Sequence, residues 1–129
     1  MRAARGCASA VASPAASAGH PPLIVRNRDG VGAIELFAPP LGVRLPYRVP
    51  SRTVAFQHGD IFILHSDGVY EARNASGDIY GLDRLMRFLE RVSGDDAEAI
   101  RDALLLDLDV FRDGEAPQDD VTIVVVRIL

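Results

Sequence analysis

Ile61-Phe62-Ile63-Leu64-His65-Ser66-Asp67-Gly68-Val69 is a short apolar run closed by Ser-Asp-Gly. Its length and composition predict a buried strand, with Ile61, Ile63 and His65 on one face and Phe62, Leu64 and Ser66 on the other. Asp67 then emerges where the strand ends, its carboxylate fixed by the sheet, and Gly68 lets the backbone turn sharply. A second acidic motif, Asp119-Asp120-Val121-Thr122, stands just before Ile123-Val124-Val125-Val126. Residues Val121 to Leu129 are so continuously apolar that they read as a buried strand.

Asp67 and Asp119 are 52 residues apart, enough for two helices and a return to a neighbouring strand. Both carboxylates can therefore converge on one end of a sheet. Anchored carboxylates suit a hard divalent cation, because Mg²⁺ and Mn²⁺ take oxygen ligands and keep several waters. Each motif alone is also ordinary: Asp-Gly after a strand is a common turn, and paired aspartates often cap or solvate a loop.

Between the two motifs the period changes. Leu82, Leu85, Met86, Leu89 and Val92 share one face of a helix over 81–92. Ser93-Gly94 interrupts it, and Asp95 or Asp96 can cap a second helix with a stripe of Ala97, Ile100, Leu104, Leu108 and Phe111. The two stripes are expected to pack on a sheet, and residues 113–120 to form a polar loop. Upstream, Leu23–Arg26, Ala33–Phe37, Arg52–Phe56 and Asp60–Ser66 read as the strands of a β-meander. Asn27–Gly30 and Gln57–Asp60 turn it, and Pro39, Pro40, Gly42, Pro46 and Pro50 force an extended connection.

Composition limits what the site can belong to. At 129 residues the chain is one domain or part of one, with 48% hydrophobic and 25% charged residues. No apolar run approaches the roughly 18 residues of a membrane helix, so a soluble, cytoplasmic chain with no membrane partner is expected. All 14 basic residues are arginine, a coding bias rather than chemistry. Residues 1–58 carry 7 Arg against 2 acids and residues 59–129 carry 7 Arg against 16, so both motifs lie in the acidic half. That surplus favours cations and gives no basic stripe for nucleic acid. Cys7 has no partner for a disulfide and no nearby cation to hold a thiolate. Residues 1–18 are low in complexity and read as a disordered leader, too weakly apolar for a secretion signal. His58 falls in a hairpin turn, His65 in a buried strand and His20 in a local turn, and none is assigned a chemical role.

Gly59-Asp60-Ile61-Phe62-Ile63-Leu64-His65-Ser66-Asp67-Gly68-Val69-Tyr70-Glu71-Ala72-Arg73-Asn74, then Tyr80-Gly81-Leu82-Asp83-Arg84-Leu85, then Asp119-Asp120-Val121-Thr122, resemble in order and spacing the C-terminal half of a bacterial PPM-type serine/threonine phosphatase of the SpoIIE-like branch. Ala18-Gly19-His20-Pro21-Pro22 with Leu41-Gly42 resembles the segment just upstream. The resemblance implies an α+β fold, a partial α-β-β-α sandwich of antiparallel sheets flanked by helices with its N-terminal portion missing. It divides the chain into the leader 1–18 and the phosphatase portion 19–129.

The resemblance further implies Asp67 and Asp119 as ligands of Mn²⁺ or Mg²⁺, with Gly68 and Asp120 supporting them, and a metal-activated water in place of a protein nucleophile. The implied substrate is a phosphoserine or phosphothreonine of a regulatory protein in bacterial signalling. Family members also carry, well upstream of the Gly-His-Pro-Pro segment, a strand-borne Asp followed by Gly-His-Gly, and this sequence contains no such motif. A noncatalytic remnant that binds a protein partner is the alternative, and a structural domain whose acids are only solvated is a third reading.

Overall fold

The computed structural model describes residues 11–43 and 46–129. In chain order the elements are β1 (Val11–Ala16), β2 (Leu23–Asn27), β3 (Gly30–Ile34), β4 (Ser51–Phe56), β5 (Ile61–His65), α1 (Asp67–Tyr70), α2 (Gly81–Arg91), α3 (Ala97–Arg112) and β6 (Ile123–Arg127). They form an α+β fold with two antiparallel sheets, one of four strands in the order β3-β2-β5-β6 and one of two strands, β1-β4.

The core lies between the four-stranded sheet and the two long helices. Ile24, Ile61 and Ile63 meet Leu85, Phe88 and Leu89 of α2 and Ile100, Leu104, Leu108 and Phe111 of α3, all buried. Both helical stripes thus face the sheet as their periodicity requires. Asp96 is the cap of α3, its Oδ2 accepting the Ala99 N–H at 2.8 Å. Arg26 of β2 ties the sheet to the end of α2. Its guanidinium donates to the carbonyl of Leu89 (3.4 Å), which the last turn leaves without a backbone partner, and to those of Val92 (3.0 Å) and Gly94 just beyond the helix.

The upstream strands depart from a meander. β2 and β3 form a hairpin as expected but with a tighter turn, Asn27 pairing with Gly30 and β3 ending at Ile34 rather than Phe37. β4 pairs with neither β3 nor β5 and instead lies against β1 in full register from Val11↔Phe56 to Ala16↔Ser51. The 57–60 turn therefore passes the chain from one sheet to the other. It is a real turn: Gly59 has φ 93°, the Gln57 N–H donates to Asp60 Oδ2 at 2.9 Å, and the buried Asp60 staples it. Of the expected leader, residues 1–10 lie outside the described residues, Cys7 among them, while Val11–Ala16 make a strand. A ladder uses backbone groups, which Ala and Ser supply as well as Val does. Pro14 is tolerated because β1 has a single strand partner among the described residues.

β6 also differs from expectation. It pairs only with β5 among the described residues, and Val124 and Val126 are 48% and 39% exposed. Its apolar run marks a strand with one face on the helices, not a strand covered on both sides. No helix among the described residues is long and apolar enough to cross a membrane.

Candidate metal centre

The register of β5 on β6 decides where the two acidic motifs go. The ladder runs from Ile61↔Arg127 to His65↔Ile123, and it continues past the strand ends through Ser66. The Ser66 N–H donates to the Thr122 carbonyl at 3.0 Å. The Ser66 hydroxyl accepts the Thr122 N–H at 2.9 Å and donates to the Asp120 carbonyl at 2.9 Å. One serine thereby satisfies three polar groups of the facing segment. Two residues beyond the ladder the same register sets Gly68 opposite Asp120, so the Ser66-Asp67-Gly68 and Asp119-Asp120 segments abut at one rim of the sheet.

Gly68 is required there by contact rather than by turn geometry, which corrects the expectation from sequence. It lies inside α1 and is not among the glycines with positive φ. A Cβ on Gly68 would fall 2.3 Å from the Asp120 carbonyl oxygen, 2.9 Å from its carbon and 3.3 Å from the Asp119 carbonyl oxygen. The missing side chain is what lets the two segments touch.

Each candidate carboxylate is fixed by its own backbone. Asp67 Oδ1 accepts the Gly68 N–H at 3.1 Å and Asp119 Oδ1 accepts the Asp120 N–H at 2.7 Å. The second oxygen of each has no protein donor among the described residues. Free, anchored carboxylate oxygens are the donor type a hard cation takes, and Mg²⁺ in particular binds through one or two carboxylates with waters filling the remainder. Among the described residues, no three His, Cys, Asp or Glu side chains are grouped to hold a metal ion. The residues present thus fit the carboxylate side of a hydrated cation site and not a closed protein cage.

The carboxylates open onto neighbouring clefts. Asp67 lines one of about 380 Å³ with His20, Ser66 and Thr122, and another of about 390 Å³ with His20, Phe37 and Tyr70. Asp119 lines a third, of about 350 Å³, with Gly68, Glu71, Arg73, Ile79 and Gln118. Asp120 contributes its carbonyl to the Ser66 bond and lines none of these three. Glu71, Arg73 and Gln118 are cleft residues to which sequence reasoning assigned no role, and His20, read from sequence as a local-turn residue without a chemical role, lines both Asp67 clefts. The only sign of His20, Glu71 and Arg73 was their place inside the quoted Gly-His-Pro-Pro and Glu-Ala-Arg-Asn segments, and Gln118 had none beyond standing next to Asp119, since no periodicity marks a residue that faces a cleft.

The other histidines keep the roles the sequence suggested. His58 is exposed in its turn. His65 is buried, stacks edge-on against Tyr70 with centroids 5.7 Å apart, and has Nδ1 3.2 Å from the Ser66 carbonyl. Burial pushes its pKa below the ordinary histidine value, so the ring is neutral near pH 7.

The family model of stage II sporulation protein E (SpoIIE) matches residues 14–129. The structure of the PP2C phosphatase domain and a fragment of the regulatory domain of SpoIIE from Bacillus subtilis superposes with a TM-score of 0.79 at 25% identity, covering 91% of this chain and 34% of that one. The phosphatase domain of the same protein, from crystals presoaked with Mn, gives 0.70 at 23% identity over 91% of this chain and 50% of that one. The RsbU and RsbW domains of a Mycobacterium tuberculosis protein give 0.69 at 21% identity over 92% and 33%. The last two likenesses establish fold alone. The chain spans between about a third and a half of these structures. No curated protein matches.

Proposed function

Since the chain belongs to the SpoIIE family of PP2C-type phosphatase domains, we propose that it is the C-terminal portion of a metal-dependent phosphoprotein phosphatase, acting on phosphoserine or phosphothreonine of a cytoplasmic regulatory protein. The observation that carries this reading is the contact between Gly68 and Asp120, with the Ser66 bonds beside it, because it brings Asp67 and Asp119 to one rim. Asp67 and Asp119 would hold Mn²⁺ or Mg²⁺. Gly68 keeps the two segments in contact, and Asp120 supports them through its backbone.

When bound, the cation supplies an acidified water and neutralises charge on the phosphoryl oxygens. The chain's own residues do the positioning. The Gly68 and Asp120 N–H groups orient one oxygen of each carboxylate, and Ser66 locks the loop that carries Asp119 to the end of β5. No protein nucleophile is needed for this chemistry.

The test is hydrolysis of p-nitrophenyl phosphate and of a phosphoserine peptide by the purified chain. Turnover is expected only with Mn²⁺ or Mg²⁺ and is abolished in Asp67→Ala, whereas turnover that survives EDTA contradicts the mechanism. The two-carboxylate donor set supports a second reading, a noncatalytic remnant that binds a protein partner. Partner binding by an inactive, metal-free chain would decide for it.

A further inference from the structure

Arg73 is set apart by the cleft it lines rather than by lacking an ion pair, since Arg26, Arg48, Arg52, Arg87 and Arg91 also form none among the described residues. Arg84, Arg101, Arg112 and Arg127 each lie within 4.0 Å of a carboxylate, at Asp107, Asp102, Asp109 and Asp95 respectively. Arg73 forms no ion pair among the described residues, although Glu71 and Asp119 line the same cleft of about 350 Å³. It is the only basic side chain on that lining.

The backbone around Arg73 is held at several points. Its N–H donates to Gln118 Oε1 at 3.2 Å, which ties it to the loop that carries Asp119. It bridges to Ile79 across a short turn. Asn74 closes that turn, its Oδ1 accepting from Ser76 N–H (3.1 Å) and Asp78 N–H (2.8 Å). One guanidinium nitrogen, Nη1, donates to the Gly77 carbonyl at 3.1 Å, leaving Nε and Nη2 without protein acceptors among the described residues. A guanidinium anchored through one nitrogen, with its other donors free beside a candidate metal ligand, is arranged to take an anion in the two-pronged manner that arginine favours for phosphate.

We propose that Arg73 is the residue that receives the phosphoryl group of the substrate, gripping its non-bridging oxygens through Nε and Nη2 while Asp119, on the same cleft, holds the cation. This rests on the metal-dependent reading above. The division of labour is electrostatic. Glu71 and Asp119 repel a phosphate dianion from the bare cleft, and only a cation on the carboxylate side together with Arg73 on the other makes the cleft attractive to it.

The test uses the whole chain and inorganic phosphate as the probe. Phosphate is titrated calorimetrically at saturating Mg²⁺ into wild type, Arg73→Ala and Arg73→Lys, and Mg²⁺ affinity is measured separately for each. Arg73 is exposed, so both variants are expected to fold. Arg73→Ala should weaken phosphate at least tenfold with Mg²⁺ affinity unchanged or slightly raised, and Lys should restore only part of the loss. Phosphate affinity within twofold of wild type in Arg73→Ala overturns the assignment. Should wild type bind no Mg²⁺, the metal reading itself fails. The assignment falls with it, whereas Mg²⁺ binding by wild type together with unchanged phosphate affinity in Arg73→Ala overturns the assignment alone.

Discussion

Gly68→Ala should destabilise this chain, although the local backbone would lead one to expect the reverse. Gly68 sits in a helical segment without positive φ, where replacing glycine by alanine ordinarily stabilises by about 0.5 to 1 kcal/mol. The added Cβ would lie 2.3 Å from the Asp120 carbonyl oxygen, about 1 Å inside van der Waals contact. The atom it strikes is backbone and cannot rotate away. Relief requires α1 and the 119–120 loop to separate, which stretches the Ser66–Asp120 and Ser66–Thr122 hydrogen bonds, both 2.9 Å. Overpacking of about 1 to 3 kcal/mol and about 1 kcal/mol for each weakened bond, less the helix gain, leave a net loss of roughly 2 to 4 kcal/mol. With a urea m-value of about 2 kcal/mol/M, the midpoint falls by roughly 1 to 2 M. Gly32→Ala is the control, since a Cβ there meets nothing within 4 Å and Gly32 has no positive φ. An unfolding midpoint for Gly68→Ala equal to or above wild type would refute the abutment of the two segments.

Asp96→Ala removes the cap of α3 and should cost about 1 kcal/mol, read as a lower urea midpoint. Tyr80 is buried and donates to Asp107 Oδ2 at 2.6 Å, and burial, then this bond to the carboxylate, hold its phenol well above the usual tyrosine range. Tyr80→Phe should therefore lose about 1.5 to 3 kcal/mol, and the wild-type phenol should not ionise in an alkaline absorbance titration until the chain unfolds. His65 has a depressed pKa in the folded chain, so below its unfolded value of 6.5 the unfolded state binds more protons. Its contribution is complete above that pH and is lost as pH falls from 6.5 through the lower folded value. In metal-free buffer, His65→Phe should flatten the stability profile between about pH 7 and 5.

The parts of the fold legible in sequence are those where one physical signal dominates. Leu85, Leu89, Ile100, Leu104 and Leu108 recur at helical spacing because each must face the sheet, and Asp96 could be read as a cap because carboxylates satisfy exposed N–H groups there. β5 and the strand after Asp119 were likewise visible as apolar runs. Pairing was not legible. Nothing in Arg52–Phe56 distinguishes a strand that meets β5 from one that meets Val11–Ala16, because ladder bonds come from backbone groups that every residue shares. Exposure of β6 was hidden for a related reason, since an apolar run reports what a strand can bury and not what stands beside it.

At the candidate site the sequence exposed the residue types and the structure supplied their relation. Asp67 and Asp119 could be singled out by their places at strand ends. That they share a rim follows from the His65↔Ile123 register, which only the paired strands define. Gly68 looked like a turn residue and is instead a point of contact. Arg73 carried no signal beyond its place in the quoted Glu-Ala-Arg-Asn segment, because its meaning lies in its position on the Asp119 cleft with guanidinium donors free.

The central claim is that Asp67 and Asp119 hold one divalent ion between them, and Mn²⁺ titration of the wild type, Asp67→Asn, Asp119→Asn and the double variant tests it most directly. A shared ion predicts that each single substitution weakens Mn²⁺ by tenfold or more and that the double substitution loses much less than the product of the two. Strictly multiplicative losses, or a wild type that takes up no Mn²⁺ at millimolar concentration, would contradict it.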